Sequence, residues 1–234
     1  MITNPNPRNT HIVILLDRSG SMESISGDIV GGFNQFMRGQ AAAGTDARVT
    51  FVQFDSQNPQ EVIVAGAPIA EMVPLTEATF VPRGGTPLLD ATGQLIARVE
   101  ANQVAREAAG LTKEDIVFVS ITDGEENASR EFTLDRIREL VTEKQAKGWT
   151  FVFLSAALDV YGEASAMGVR AGSTQAFAAN AAGTALAFRD LDQKMTFLRS
   201  KKRQGLDTAA DPFFGDDKPA EDLREGKTRG SGDE

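Results

Sequence analysis

The chain has 234 residues, of which 41% are hydrophobic and 24% are charged, values that suit one large globular α/β domain with extra segments. Its formal net charge of −9 disfavours binding to nucleic acid and to anionic membrane surfaces. It contains no cysteine, which excludes disulfides, thiolate nucleophiles and zinc–thiolate sites.

The sequence predicts no secretory signal and no membrane span. The first ten residues, MITNPNPRNT, are polar and lack the apolar core of a signal peptide. The longest apolar runs, such as IVILL at 12–16, are far shorter than the roughly 20 residues that span a bilayer. Together with the absence of cysteine, these features predict a cytoplasmic protein.

Five short apolar runs rich in Val, Ile and Phe predict the strands of a sheet. Runs this continuous are typical of parallel strands that are buried on both faces between helix layers. The third run follows the second after the turn-like segment DSQNPQ, which predicts a hairpin and therefore one antiparallel edge strand. The runs are IVILL (12–16), VTFVQF (49–54), EVIVA (61–65), IVFVSI (116–121) and TFVFLS (150–155).

Segments with apolar residues every three or four positions alternate with these runs and predict helices. Thr86 and Pro87 have the residue types of an N-cap and a first helical position, and Thr133 precedes a helix that ends at Lys147 and Gly148. This alternation indicates a doubly wound α/β fold, with helices on both faces of a mostly parallel sheet. The predicted helices cover about 25–37, 88–99, 134–147, 159–167 and 174–199.

Composition divides the chain into three parts. Residues 1–10 form a polar extension, residues 11–203 the α/β domain, and residues 204–234 a tail in which periodicity is lost and acidic residues dominate. Such a composition favours a flexible or loosely docked segment. Phe213 and Phe214 are unusual in this setting. Besides an incidental linker or local packing, they leave two hypotheses open, docking on a partner and docking on the domain's own groove. In a bolder version, Asp216 or Asp217 supplies a sixth ligand to the metal of a neighbouring molecule.

Three polar segments are predicted to meet at the carboxyl ends of the strands. The first run leads into Asp17, Ser19 and Ser21, and residues two apart in an extended segment point the same way. The fourth run leads into Asp123, and Thr86 lies in a glycine-rich loop before a helix. Because ligands of doubly wound sheets bind beyond the carboxyl ends of strands, we expect these five side chains to converge.

These side chains offer only oxygen, the ligand atom that hard divalent cations such as Mg²⁺ prefer. Two carboxylates neutralise a divalent ion, whereas hydroxyls add dipoles but no charge. An octahedral ion would keep one position for an anionic oxygen from outside the chain. Nearby helix N-termini also favour the approach of such an anion. The charge balance therefore indicates a binding site and not a closed structural metal.

The pattern D-x-S-x-S, followed by a loop threonine and by T-D-G, resembles the metal-ion-dependent adhesion site of von Willebrand factor A domains. The five positions match that pattern without a departure. The resemblance implies that Ser19, Ser21 and Thr86 contact the metal, while Asp17 and Asp123 act directly or through water.

The resemblance covers roughly residues 10–200 and also implies a fold. The implied sheet has six strands in the order 3-2-1-4-5-6, with a short sixth strand near Val169–Ala171. More narrowly, the segments LLDRSGSM, RGGTPLLDA, ITDGEENASREF and GTALAF resemble an intracellular prokaryotic and phage branch of this superfamily.

The resulting hypothesis is a metal-dependent adhesion or adaptor module that binds an Asp or Glu carboxylate of a protein partner and is not an enzyme. Mg²⁺ is the expected ion, with Mn²⁺ or Ca²⁺ as alternatives, and a monomer is favoured. One alternative is a metal-dependent hydrolase of phosphoryl substrates, which the absence of a G-x-S-x-G elbow and of a plausible histidine base disfavours. Another is an adaptor subunit of an ATPase or of a phage or stress-response assembly.

Four ionisable residues are expected outside the ligand set. Arg18 is a cation beside a cation site and is expected to point into solvent. Glu125 and Glu126 are expected to lie in a solvated loop, with the binding of outer waters or of an extra ion as the alternative. His11, the single histidine, is expected at the surface or at a strand edge.

Overall fold

The computed structural model describes residues 9–216 and 218–226 of the chain. Its strands are Thr10–Asp17 (β1), Ala47–Asp55 (β2), Asn58–Pro68 (β3), Asp115–Thr122 (β4), Thr150–Ser155 (β5) and Thr174–Ala176 (β6). They form one sheet in the order β3-β2-β1-β4-β5-β6. β3 is antiparallel to β2, and the other neighbouring pairs are parallel. The predicted strand order and the predicted antiparallel edge strand are confirmed.

The central strands explain the continuous apolar runs of the sequence. β1 and β4 are buried at every position, because helices cover both faces of the sheet. β3 lies at the edge, where its register with β2 is irregular and its residues are partly or fully exposed. Such irregularities are common at sheet edges, where they hinder pairing with another chain.

The helices are Ser26–Ala42 (α1), Leu88–Ala108 (α2), Leu134–Ala146 (α3), Val160–Ala166 (α4), Ala181–Arg203 (α5) and Pro219–Arg224 (α6). α1 and α5 pack on one face of the sheet, where Phe33 and Leu191 share a core cluster. α2, α3 and α4 cover the other face, with Leu95 and Val141 in a second cluster. Each such buried side chain contributes about 1.5–3 kcal/mol, so both layers fix the strands whose ends carry the polar segments. Within the part of the chain that the structure describes, no helix has the length and apolar character needed to cross a membrane.

A distant loop caps the start of α2. The expected N-cap role of Thr86 is wrong, since the helix begins at Leu88 and the residue before it makes no side-chain cap. Instead, Oε2 of Glu126 accepts the Leu89 N–H at 2.9 Å. Thr86 donates its own N–H to Oδ1 of Asn127 at 2.9 Å. The Thr86 hydroxyl is therefore left free of a capping role.

The last strand and the last long helix differ from the prediction. The sixth strand was expected near Val169–Ala171 and a helix from about Thr174, but the strand begins at Thr174 and the helix at Ala181. The helix begins directly after Asn180, which is its N-cap and whose side chain accepts the N–H of Gly183 at 2.9 Å. Phe177 has the helical spacing but lies before the helix, where it is 1% exposed in the core.

The described residues after Gly205 pack on the domain, where the composition predicts a flexible or loosely docked segment. Phe214 is 1% exposed, and its N–H donates to the carbonyl of Gly172 at 2.8 Å. The Phe213 ring meets it edge-on at 4.9 Å. α6 follows and buries Ala220 against the same core cluster. These contacts lie within the domain, as both local packing and docking on the domain's own groove predict. Residues 1–8, 217 and 227–234, which belong to the predicted extension and tail, lie outside the described residues.

His11 lies inside the sheet, so the expected surface or edge position is wrong. It belongs to the central strand β1 and is 1% exposed. Nε2 lies 2.8 Å from the Thr50 hydroxyl. Burial, together with the charges of Arg48 and Arg106, lowers the pKa of His11 to about 3, so the imidazole is neutral at pH 7 although Glu114 lies 3.6 Å from Nδ1.

Candidate metal centre

Asp17 is the last residue of β1, and its side chain is fully buried. Oδ1 accepts the backbone N–H of Ser19 at 2.7 Å, and Oδ2 accepts the Thr122 hydroxyl at 2.6 Å. Thr122 ends β4, the parallel neighbour of β1. The carboxylate is therefore held between the ends of two central strands, at the edge of the sheet where the sequence predicts the site.

The hydroxyls of Ser19 and Ser21 lie next to the second aspartate. Their Oγ atoms are 3.0 Å apart, and Ser21 donates to Oδ1 of Asp123 at 2.6 Å. Ser19 is 2% exposed, whereas Ser21 is exposed and Asp123 is half-buried. The site thus has a buried floor and an open mouth.

Thr86 reaches the same place from a third loop. Its hydroxyl oxygen and that of Ser21 lie 3.5 and 3.4 Å from the position that a Cβ atom on Gly124 would take. Gly124 follows Asp123 directly, and its N–H donates to the Thr122 hydroxyl at 3.2 Å. The structure therefore brings all five predicted side chains together, from the loops that follow β1 and β4 and the loop that precedes α2.

Backbone hydrogen bonds join these loops to one another. The N–H of Gly20 donates to the carbonyl of Gly84 at 3.0 Å, and the N–H of Asn127 to the carbonyl of Thr86 at 3.1 Å. Gly84 has φ +67°, a left-handed conformation that favours glycine. The three loops are consequently fixed relative to each other as well as to their strands.

The electrostatics of the site favour a cation. Burial raises the pKa of the Asp17 carboxyl to about 6, against hydrogen bonds that lower it, and the charge of Asp123 adds to the rise. Burial also raises the pKa of Asp123. On α4, burial raises the pKa of Glu163 to about 7, and the charges of three acidic neighbours add to it. Since the charges acting on these carboxyls are acidic, this end of the sheet has a negative potential that a bound cation would relieve.

Neither a family model nor a curated protein matches the sequence. Solved structures match the fold at low identity. The pilus adhesin SpaC from Lactobacillus rhamnosus GG, in its open conformation, has a TM-score of 0.60 and 14% identity over 83% of this chain and 31% of the adhesin. The proximal thread matrix protein 1 of the mussel byssus, with a zinc-occupied MIDAS motif, gives 0.52 and 14% over 78% of this chain and 46% of that protein.

A third structure covers a single domain. The VWA domain of SpRpn10 matches with a TM-score of 0.50 and 11% identity, over 78% of this chain and 95% of that domain. The fold is that of a von Willebrand factor A domain. This chain spans less than half of the adhesin and of the mussel protein, so the likeness concerns this domain alone.

Arg18 departs from the expectation in this von Willebrand factor A fold. It was expected to point into solvent, but it is 4% exposed. Its guanidinium donates to Asp55 at 2.7 Å and also pairs with Glu61. The physical reason is the alternation of side chains in extended backbone: Asp17 points toward the metal site, so Arg18 points the other way, toward the end of β2. The buried carboxylate there supplies its counter-charge.

Glu126 also has a role that the sequence did not reveal. The expected solvated loop is right for the exposed Glu125 but wrong for its neighbour. Oε1 of Glu126 accepts the N–H groups of Ala128 and Ser129 at 2.9 and 2.7 Å, and Oε2 caps α2 at Leu89. Because Leu89 is 37 positions away in the sequence, no local pattern signals this contact.

The donor set fits a small divalent ion. Octahedral Mg²⁺ binds oxygen at 2.0–2.1 Å, which places neighbouring ligands about 2.9 Å apart, close to the 3.0 Å between the Ser19 and Ser21 hydroxyls. Within residues 9–216 and 218–226 no group of three or more His, Asp or Glu side chains is arranged to hold a metal ion. A site with two carboxylates therefore depends on its hydroxyls for the remaining ligands.

Proposed function

We propose that the chain is a divalent-metal-dependent protein-binding module in which Asp17, Ser19, Ser21, Thr86 and Asp123 hold the ion. The observation that carries the proposal is the convergence of these five oxygen ligands from three loops at an acidic end of the sheet. The zinc-occupied MIDAS motif of the mussel protein, in the same fold, supports it.

Mg²⁺ is the ion we propose, with Mn²⁺ or Ca²⁺ as alternatives, because hard oxygen ligands suit these cations. Two carboxylates balance the charge of the ion without exceeding it. The exposed Ser21 side of the site leaves room for a further ligand, which we take to be an Asp or Glu carboxylate of a protein partner. When bound, the metal supplies the positive charge that attracts this carboxylate, and the chain supplies the position and the exclusion of water around Asp17.

We keep three further proposals that rest on the sequence alone. The intracellular prokaryotic and phage branch rests on the segments named above. The cytoplasmic location rests on the absence of cysteine. A monomer is the favoured state, and sedimentation of the full chain with and without Mg²⁺ tests it.

Manganese is a suitable probe, because its binding is measured by calorimetry and by the loss of the electron paramagnetic resonance signal of the free ion. We expect the wild-type chain to bind one Mn²⁺, which Mg²⁺ displaces, and Asp123→Asn to lose most of this affinity. Asp135→Asn, a change of the same kind at a carboxylate that is 86% exposed on α3, is the matched control. A wild-type chain that binds no divalent ion overturns the proposal.

Carboxylate capture is tested on the Mn²⁺-loaded chain by water-proton relaxation. Addition of a short glutamate-containing peptide should reduce the relaxation enhancement, because the peptide carboxylate replaces a metal-bound water. The same peptide with glutamine is the control. If the peptide has no effect and the loaded chain hydrolyses p-nitrophenyl phosphate, the hydrolase alternative replaces the binding function.

A further inference from the structure

Asp55, the last residue of β2, is fully buried beside the candidate metal centre. Its Oδ2 atom accepts hydrogen bonds from Nε and Nη2 of Arg18 at 3.0 and 2.7 Å, and from Nε of Arg83 at 3.0 Å. Arg18 belongs to the loop that carries Ser19, and Arg83 to the loop that carries Thr86. A single carboxylate oxygen thus joins two of the three loops that contribute ligands.

The other oxygen of this carboxylate is fixed by the turn between β2 and β3. Oδ1 of Asp55 accepts the N–H groups of Gln57 and Asn58 at 2.7 and 3.0 Å. The same turn contacts the threonine loop through Ser56, whose N–H donates to the carbonyl of Gly85 at 3.0 Å and whose hydroxyl accepts the Gly85 N–H at 2.8 Å. The carboxylate therefore cannot shift without moving a strand end.

Backbone hydrogen bonds also connect these two loops to each other and to β2. The N–H of Arg83 donates to the carbonyl of Arg18 at 2.8 Å, and the N–H of Arg18 donates to the carbonyl of Phe54 at 2.8 Å. Glu61 on β3 pairs with both arginines, so two acids face two bases and the cluster carries no net charge. A neutral cluster influences a nearby cation mainly through the positions of the loops that it holds.

We propose that Asp55 is a positioning residue of the metal centre, which sets the separation between the Thr86 hydroxyl and those of Ser19 and Ser21. The inference rests on the proposed metal-binding function. Mg²⁺ demands near-ideal octahedral geometry, so a small displacement of one ligand loop weakens binding. Loss of residues that orient metal ligands from outside typically costs about 10–100-fold in metal affinity.

The chain contains a matched control for this cluster. Glu114 is also a buried carboxylate, 3% exposed, and it also binds two arginines. It pairs with Arg48 at 2.9 Å and with Arg106 at 3.2 Å. It lies just before β4, at the opposite end of the sheet from Asp17. Glu114→Gln therefore disturbs a similar cluster without touching a ligand loop.

The experiment compares Mn²⁺ affinity by calorimetry for the full-length wild type, Asp55→Asn, Arg83→Gln and Glu114→Gln, with urea unfolding in EDTA to establish that each is folded. We expect Asp55→Asn to weaken Mn²⁺ binding by about 10–100-fold and Glu114→Gln to leave it unchanged. Arg83→Gln distinguishes an effect of loop position on Mn²⁺ affinity from an effect of charge. Removal of a positive charge near the ion would tighten binding by electrostatics alone, whereas positioning predicts weaker binding.

The outcomes distinguish the two proposals. A wild type that binds no Mn²⁺ overturns the proposed function and this inference with it. A wild type that binds Mn²⁺ while folded Asp55→Asn binds equally well overturns the positioning role alone. Tighter binding by Arg83→Gln also overturns it, because the cluster then acts by its charge. If Asp55→Asn does not fold, Arg83→Gln decides, since this side chain is 39% exposed and its loss leaves the Arg18–Asp55 pair intact.

Discussion

Asp17→Asn is expected to stabilise the metal-free protein while it weakens metal binding. Burial raises the pKa of Asp17 from 3.8 to about 6. A difference of about two units, at about 1.36 kcal/mol per unit, corresponds to about 3 kcal/mol by which ionised Asp17 destabilises the folded state. Asparagine removes the charge but keeps an acceptor for the Ser19 N–H. Its amide can donate to Thr122, whose hydroxyl also reaches the Gly124 carbonyl at 3.0 Å.

The sign of the pH dependence follows from the direction of the shift. A carboxyl whose pKa is raised in the folded state does not destabilise that state below its unfolded pKa. It destabilises the folded state fully above the folded pKa of about 6. The variant should therefore gain almost nothing over the wild type at pH 4 and about 3 kcal/mol at pH 8. Urea unfolding in EDTA, followed by circular dichroism at several pH values, measures this difference.

Asp55→Asn supplies the opposite control. Burial would raise the pKa of Asp55, but hydrogen bonds from Arg18, from two turn N–H groups and from Arg83 together lower it. Asp55→Asn should therefore reduce the free energy of unfolding at pH 8. Equal stability of wild type and Asp17→Asn at pH 8 would refute the reasoning, because a buried carboxylate without a cation would then cost nothing. A gain in stability with a loss of metal binding is the trade-off typical of functional sites.

Three further predictions concern the ion, the tail and the histidine. Mg²⁺ at a thousandfold excess over its dissociation constant should add about 4 kcal/mol to the free energy of unfolding of the wild type and less to that of Ser21→Ala, and an unfolding curve indifferent to Mg²⁺ contradicts this. Phe214→Ala should cost about 3–5 kcal/mol in urea unfolding, because it leaves a cavity beside Phe213, and a cost below about 1 kcal/mol would mean that the tail is only loosely attached. Between pH 6.5 and 5 the wild type should lose about 2 kcal/mol of stability relative to His11→Gln, since the unfolded state protonates His11 at 6.5 while burial and two arginines lower the folded pKa to about 3. Identical pH profiles of these two proteins would exclude a neutral buried imidazole.

The sequence predicts those parts of the molecule that depend on local pattern. The apolar runs of β1 and β4 show that both faces of the sheet are covered, and the two-residue spacing of Asp17, Ser19 and Ser21 places three side chains on one side of an extended segment. The carboxyl-end rule for parallel strands then brings Asp123 close to them. All five side chains converge in the structure, although their role as metal ligands stays a prediction.

What the sequence does not reveal depends on contacts between distant segments. The partner of Arg18 is 37 positions away, and so is that of Glu126, so their burial has no local signature. The three-residue strand β6 is too short to give a periodic pattern. Phe177 continues the helical spacing by coincidence, and the Asn180 cap is the one local sign that the helix begins later. The packing of the tail is missed for a similar reason, because its few apolar residues pack against a distant part of the chain.

The separation of 102 positions between Ser21 and Asp123 also has a consequence for how the proposed ion would be acquired. No fragment of the chain shorter than this contains both residues, and they meet only once β1 and β4 lie side by side. Metal therefore cannot nucleate the assembly of this domain in the way that a zinc ion organises a small finger. During synthesis, a chain released only as far as α2 would lack Asp123, so an ion bound as we propose would enter through the open mouth of the site after β4 has joined the sheet.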